Sequence, residues 1–258
     1  MDPKDYIAIG AAVISACSLT VSYITWRQKS SEAERTIRNQ ITDVIGKLDA
    51  VFAEGDKLNF ENSDKRNDPY FVGRRSFLNG QKRFLARQAL DLMNYVRHLV
   101  TDFEYNRVAD AFCSIGDFGQ ANDLYIEAIK SAKQDNYKAN CTRAYARCLF
   151  VQSRVEEGRE QFQDAVALVS PDNDVNRFHI AETYQRWAMV EADSHNWAEA
   201  AELIKKAREV YLRIIGSRPR GDGLANLEHI ENSISARQQN VLVENSNPPV
   251  REISSPRT

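Results

Sequence analysis

Arg143 and Arg147 stand four residues apart in a stretch of helical periodicity, so their guanidinium groups share one face. Such a pair could clamp a carboxylate or phosphate through paired N–H donors, and Asp110 or Glu182 could equally neutralise it. A second basic constellation comprises Lys65, Arg66, Arg74, Arg75, Lys82, Arg83 and Arg87, with Asp68 the one acid among them. It suits anionic lipid headgroups or an acidic or phosphorylated partner, and its plainer reading is a solvated helix face. Phe71, Phe77 and Phe84 interleave it at the spacing of a helical core rather than of a base-stacking platform, and no nucleic-acid partner is expected.

Groups for catalysis are missing. His98, His179, His195 and His229 stand singly, outside HExxH or any other ligand spacing, and neither a phosphate-cradling Gly-rich loop ending in Lys-Ser/Thr nor a GxSxG elbow is present. Cys113, Cys141 and Cys148 lack paired metal-ligand spacing. Asp172, Asp174 and Asn176 begin like a calcium loop, but Arg177 takes the glycine position and Thr183 the last ligand position. The expectation is a non-enzymatic protein without metal or cofactor. Arg220-Gly221-Asp222 has the form of an adhesion tripeptide and is expected to be a turn between helices.

The elements that position these residues are helices. The 258 residues include only 11 Gly and 7 Pro, which favours an all-α fold, and 34 basic against 36 acidic residues leave no global field to steer a partner. From Tyr6 to Trp26 the chain runs 21 residues without a charge, near the about 20 that a helix needs to cross a bilayer. Residues 1–30 are therefore read as an N-terminal transmembrane anchor, with Tyr6, Tyr23 and Trp26 suited to its interfaces. Asp2, Lys4 and Asp5 precede the span while Arg27, Lys29, Arg35 and Arg38 follow, and this excess of basic residues predicts the N-terminus outside and the main body in the cytoplasm. Ala8, Ala11, Ser15, Ser18 and Ser22 form a small-residue stripe through which spans could self-associate.

Two rivals alter the compartment. A cleaved signal peptide is disfavoured by the acidic MDPKD start. Ile14-Ser15-Ala16-Cys17 resembles the lipobox of bacterial lipoproteins and would place the body outside the cytoplasm, against which the apolar run continues well past Cys17.

Residues 31–58 predict an amphipathic juxtamembrane helix whose stripe Ile37, Ile41, Val44, Leu48 and Val51 could pair two subunits or lie against the chain's own domain. Residues 59–73, rich in Asn, Asp, Ser, Pro and Gly, are expected to be a linker. Residues 74–240 read as a helical repeat domain: a helix from Arg74 to Leu99 covering the first repeat, three hairpins, and a capping helix around residues 224–238. Residues 241–258 are expected to be a disordered tail.

The repeats align on identical offsets, in stretches from Tyr105, Thr142 and Tyr184. Ala109, Ala146 and Ala188 form one small column; Ala121, Gly158 and Ala200 follow twelve residues later, and Ala128, Ala165 and Ala207 seven further on. Small residues there let antiparallel helices approach closely. Tyr105, Val108, Ala109, Phe112, Gly116-Asp117-Phe118, Ala121, Tyr125 and Ala128 fall where the tetratricopeptide repeat places its signature residues, and the stretch 105–211 resembles that family. The third unit departs from it at Glu191, where a large apolar residue is expected, which predicts looser packing there. The resemblance implies a groove lined by leading-helix residues Asn106, Asp110, Arg143, Arg147, Gln185 and Met189 that holds a protein or peptide. The Lys/Asn set by which some members grip a chaperone's C-terminus is absent, since Asp110 replaces a key Asn. The function expected is a single-pass, membrane-tethered adaptor or scaffold. Its alternatives are an extracytoplasmic lipoprotein in envelope assembly and a membrane effector that oligomerises under control of the repeats.

Overall fold

The computed structural model describes the backbone of residues 3–61 and 68–246, and the side chains of 22–61 (residue 24 excepted), 68–239 and 241. All regular structure among them is helical: α1 (Pro3–Glu61), α2 (Pro69–Tyr95), α3 (Asp102–Ser114), α4 (Phe118–Ser131), α5 (Asp135–Val151), α6 (Val155–Ala167), α7 (Asp174–Asp193), α8 (Trp197–Leu212) and α9 (Ser217–Ser246), with a 3-10 turn at Arg97–Leu99. Residues 1–100 and 101–258 form two compact units.

In the first unit α1 and α2 form an antiparallel hairpin. Glu54 pairs with Arg74, the Lys82 ammonium sits 4.4 Å from the centre of the Phe52 ring, and Glu34 lies 3.7 Å from His98. Ile41, Val44, Leu48 and Val51 are buried in this hairpin, as are Phe71, Leu78, Ala86, Ala89 and Met93 of α2. The stripe read from the sequence as a candidate subunit seam is thus occupied by the chain's own α2. The expected linker is shorter than residues 59–73, because α1 runs to Glu61 and α2 begins at Pro69. Asp68 is the N-cap, its carboxylate accepting from the Tyr70 N–H at 2.8 Å and from Phe71, and Pro69 occupies the first turn, where its missing N–H costs nothing. The helix expected from Arg74 to Leu99 begins at Pro69, ends at Tyr95 and packs on α1.

The anchor expected at 6–26 lies within the backbone of α1, but Tyr6, Ala11, Ser15 and Ser18 fall among side chains outside the described residues. Among the described residues no helix is long and apolar enough to cross a membrane. Lys65, Arg66 and residues 247–258 also lie outside the described set; of the expected tail, 241–246 is the end of α9.

The second unit is a helical repeat. Pairs α3/α4, α5/α6 and α7/α8 form successive hairpins, and α3, α5, α7 and α9 each neighbour the next, so the leading helices form a row with α9 at its end. Ala109, Ala121, Ala128, Ala146, Ala165, Ala188, Ala200 and Ala207 are all fully buried, as the close approach of paired helices requires. A Cβ on Gly158 would lie 2.5 Å from the Phe150 ring, so no larger residue fits there. The three hairpin turns repeat one backbone design. Gly116, Ser153 and His195 have φ of 82°, 62° and 62°, and the next residue's N–H in each case donates 2.9 Å to a carbonyl five residues back. A capping box of Thr101 and Glu104 starts α3, and Asn173 caps α7.

The Arg220-Gly221-Asp222 tripeptide is in the first turns of α9 rather than between helices. Pro219 is tolerated there because early helical N–H groups have no intrahelical partner. The turn falls earlier: the Asp174 carboxylate accepts from the Ile215 and Gly216 N–H groups at 3.0 and 2.9 Å, tying the start of α7 to the start of α9. Those two backbone donors hold its carboxyl below the usual range.

Candidate functional site: the leading-helix face

The six residues expected to line a groove divide sharply. Arg143 is spent within the stack, donating 3.1 Å to Glu182 on α7 and 3.1 Å to Asn140. Burial lowers its guanidinium pKa, and Glu182 offsets that in part. On Glu182 burial works against charge, and Arg143 with Arg186 outweighs it, leaving the carboxyl below its ordinary value. Gln185 is buried and accepts from the Tyr211 hydroxyl at 3.0 Å, while burial pushes that phenol up to about 12. Neither Arg143 nor Gln185 is available to a partner, so the Arg143–Arg147 clamp is not formed. Met189 is half-buried.

Asn106, Asp110 and Arg147 remain. Asp110 accepts from the Tyr125 hydroxyl at 2.7 Å and has Arg107 at 3.8 Å. Burial raises its carboxyl pKa, against the opposing pull of Tyr125, Arg147 and Arg107. Arg147 is exposed. Asn106, one turn before Asp110 on α3, has a buried side-chain oxygen that accepts no hydrogen bond, a costly state unless a ligand supplies the donor. Asp110 and the exposed Arg147 thus stand together where α3 and α5 adjoin, with one buried acceptor on Asn106 unfilled beneath them.

Two further features of the repeats differ from the sequence reading. Cys113 on α3 and Cys148 on α5 stand close enough to act on each other, which raises the Cys113 thiol pKa and lowers that of Cys148. Cys148 also accepts from the Gln152 amide at 3.3 Å. Thirty-five positions separate the two, so no local spacing announces them. The second is Glu191, which was expected to loosen the third repeat. It is 1 % exposed and accepts from Arg159 at 2.7 and 2.9 Å, Trp187 Nε1 at 2.9 Å and Asn196 at 2.7 Å. Burial opposes its charge, and these donors reverse the effect and hold the carboxyl below its ordinary value. Packing is tight there too: the Phe162 and Trp187 rings stack with centres 5.4 Å apart.

The basic constellation lies along α2. Arg74 pairs with Glu54 and also covers Phe77, Lys82 covers Phe52, and Arg75, Arg83 and Arg87 are exposed. Arg74 stands level with Glu54, 28 residues past Trp26 on one continuous helix, about 40 Å at ~1.5 Å per residue. Among the described residues no cluster of three or more His, Cys, Asp or Glu could hold a metal ion. No family model matches this chain, and neither a curated protein nor a solved structure matches it.

Proposed function

We propose that the chain is a membrane-tethered, non-enzymatic adaptor of tetratricopeptide type that holds a protein segment on its leading-helix face in the cytoplasm. The observation that carries the reading is the buried, unpartnered oxygen of Asn106 beside Asp110 and the exposed Arg147. A peptide backbone N–H would satisfy Asn106, and an acidic side chain would suit Arg147. The row of leading helices supports it, because a stack of hairpins offers an extended strip rather than a closed pocket. The tether rests on the uncharged run from Tyr6 to Trp26 and on the basic residues that follow it.

Two measurements test the proposal. A reporter active only in the cytosol, fused to the C-terminus, should be active, and a cysteine introduced after Asp2 should react with an impermeant label from outside. An external C-terminus removes the cytoplasmic adaptor reading and favours the lipoprotein. Proximity labelling from the repeats should then recover a partner that Asn106→Ala with Arg147→Glu loses. An unchanged set of neighbours would remove this face as the binding surface.

A further inference from the structure

The α1–α2 hairpin buries one face and leaves another open. On α2, Tyr70, Phe77 and Phe84 recur every seven residues and are 75, 53 and 68 % exposed. Gly73 and Gly80 fall between them on the same stripe, and a Cβ on either would meet nothing within 4 Å. Alongside runs a groove of about 650 Å³, lined by Ala50 and Val51 of α1 and Phe77, Phe84 and Leu85 of α2, with Lys47 and Glu54. Exposed aromatics alternating with empty notches at heptad spacing make a helix-packing surface, and a large one for a soluble face.

Charge selects the occupant. From residue 43 to 61, α1 carries Asp43, Asp49, Glu54, Asp56 and Glu61 against Lys47 and Lys57, while α2 carries Arg74, Arg75, Lys82, Arg83 and Arg87 against Asp91. A surface built from one acidic and one basic helix complements itself under a two-fold rotation that sets each α2 on the other copy's α1. The hairpin's own register fixes what meets. Arg74 stands level with Glu54, Lys82 with Phe52 and His98 with Glu34, which levels Phe84 with the Gly46–Ala50 turn and Arg87 with Asp43. A two-fold axis along the hairpin keeps those heights. It brings Phe84 onto Ala50 of the second copy and Arg87 toward its Asp43.

We infer that this face joins two copies of the chain into a four-helix bundle. The seam differs from the Ile37–Val51 stripe, which α2 already covers, and from the small residues of the N-terminal run. Both α1 helices point the same way in this arrangement, as two chains entering one membrane would need. The inference is independent of what the repeats bind and fails or stands without it.

The test uses the full chain in mild detergent, with mass measured by light scattering after size exclusion. Wild type should be a dimer at tens of micromolar, and Phe77→Glu with Phe84→Glu a monomer of unchanged helical circular dichroism, because both side chains are exposed. Arg87→Glu should weaken the dimer at least tenfold, and Asp43→Arg in the same chain should restore it. Chains carrying Ala50→Cys mixed with chains carrying Phe84→Cys should cross-link between copies on oxidation. A dimer that survives Phe77→Glu with Phe84→Glu is held elsewhere, for example by the N-terminal run, and overturns the inference. So does a monomeric wild type; protection of Phe84→Cys from maleimide in that monomer would assign the face to the chain's own repeats.

Discussion

In the repeats, small residues lie buried against large ones: Gly158 faces the Phe150 ring, and Ala146 and Ala188 lie in one cluster with Phe150, Phe162 and Trp187. In the α1–α2 hairpin, Gly73 and Gly80 stand in open space between exposed Phe77 and Phe84. Both regions alternate small and large side chains along a helix, yet only the repeats close the arrangement within the chain. Periodicity therefore reveals that a helix has a packing face without revealing which neighbour fills it. Substitutions that add or remove volume should have opposite consequences in the two regions, and the closed one should show the larger effects.

The largest is expected at Glu191, the polar member of the closed region. Glu191→Ala leaves Trp187 Nε1 and the Asn196 amide without their acceptor and Arg159 with Glu156 alone, and should cost about 3 kcal/mol in urea unfolding. The same carboxylate gives the repeats an acid-sensitive stability. Its folded pKa lies below its ordinary value of 4.5, so its contribution is complete above that value and is lost as pH falls through the folded pKa. Glu191→Gln should flatten this dependence below about pH 4.5, which unfolding at pH 7 and pH 3.5 would show as a smaller gap than in wild type.

Next in size is Gly158→Ala. The added methyl would stand 2.5 Å from Phe150 and 3.1 Å from the Ala146 carbonyl, and separating α5 from α6 should cost about 2 kcal/mol in the same assay. A cost near zero would mean that Phe150 swings away freely and that the repeats are packed no more tightly than the hairpin.

Much of the closed region was legible because its columns recur at fixed offsets, so Ala109, Ala146 and Ala188 identified the leading helices before any coordinates. The turns were not. Only Gly116 advertises a left-handed residue, yet Ser153 and His195 adopt the same φ at the equivalent point, because the geometry of the hairpin overrides the preference of the side chain. Groove residues were legible by helix face and illegible by reach: Gln185 shares the expected face, but Tyr211 from α8 extends to it and removes it from the surface. Asp68-Pro69 looked like linker because its composition is that of turns, whereas Asp followed by Pro is equally the start of a helix.

Those turns supply a smaller prediction. A non-glycine residue at left-handed φ costs about 1 kcal/mol, so Ser153→Gly should raise stability by about that much and Gly116→Ala should lower it similarly. His195→Gly should gain less, because its ring contacts Trp197 at 5.5 Å and that contact is lost with it.

The smallest effect separates the two regions most directly, because it uses the same substitution as at Gly158 with the opposite sign. Gly80 is within α2, its Cβ position is empty, and alanine is the better helix former by about 0.8 kcal/mol. In the Phe77→Glu, Phe84→Glu background, where the aromatic stripe is disabled, Gly80→Ala should raise the free energy of unfolding by that margin. In the wild-type background the methyl enters the notch that a second copy would fill, so the gain should shrink while self-association weakens. Equal gains in both backgrounds would show the notch to be empty in solution, and the hairpin would then differ from the repeats in having no second copy to close it.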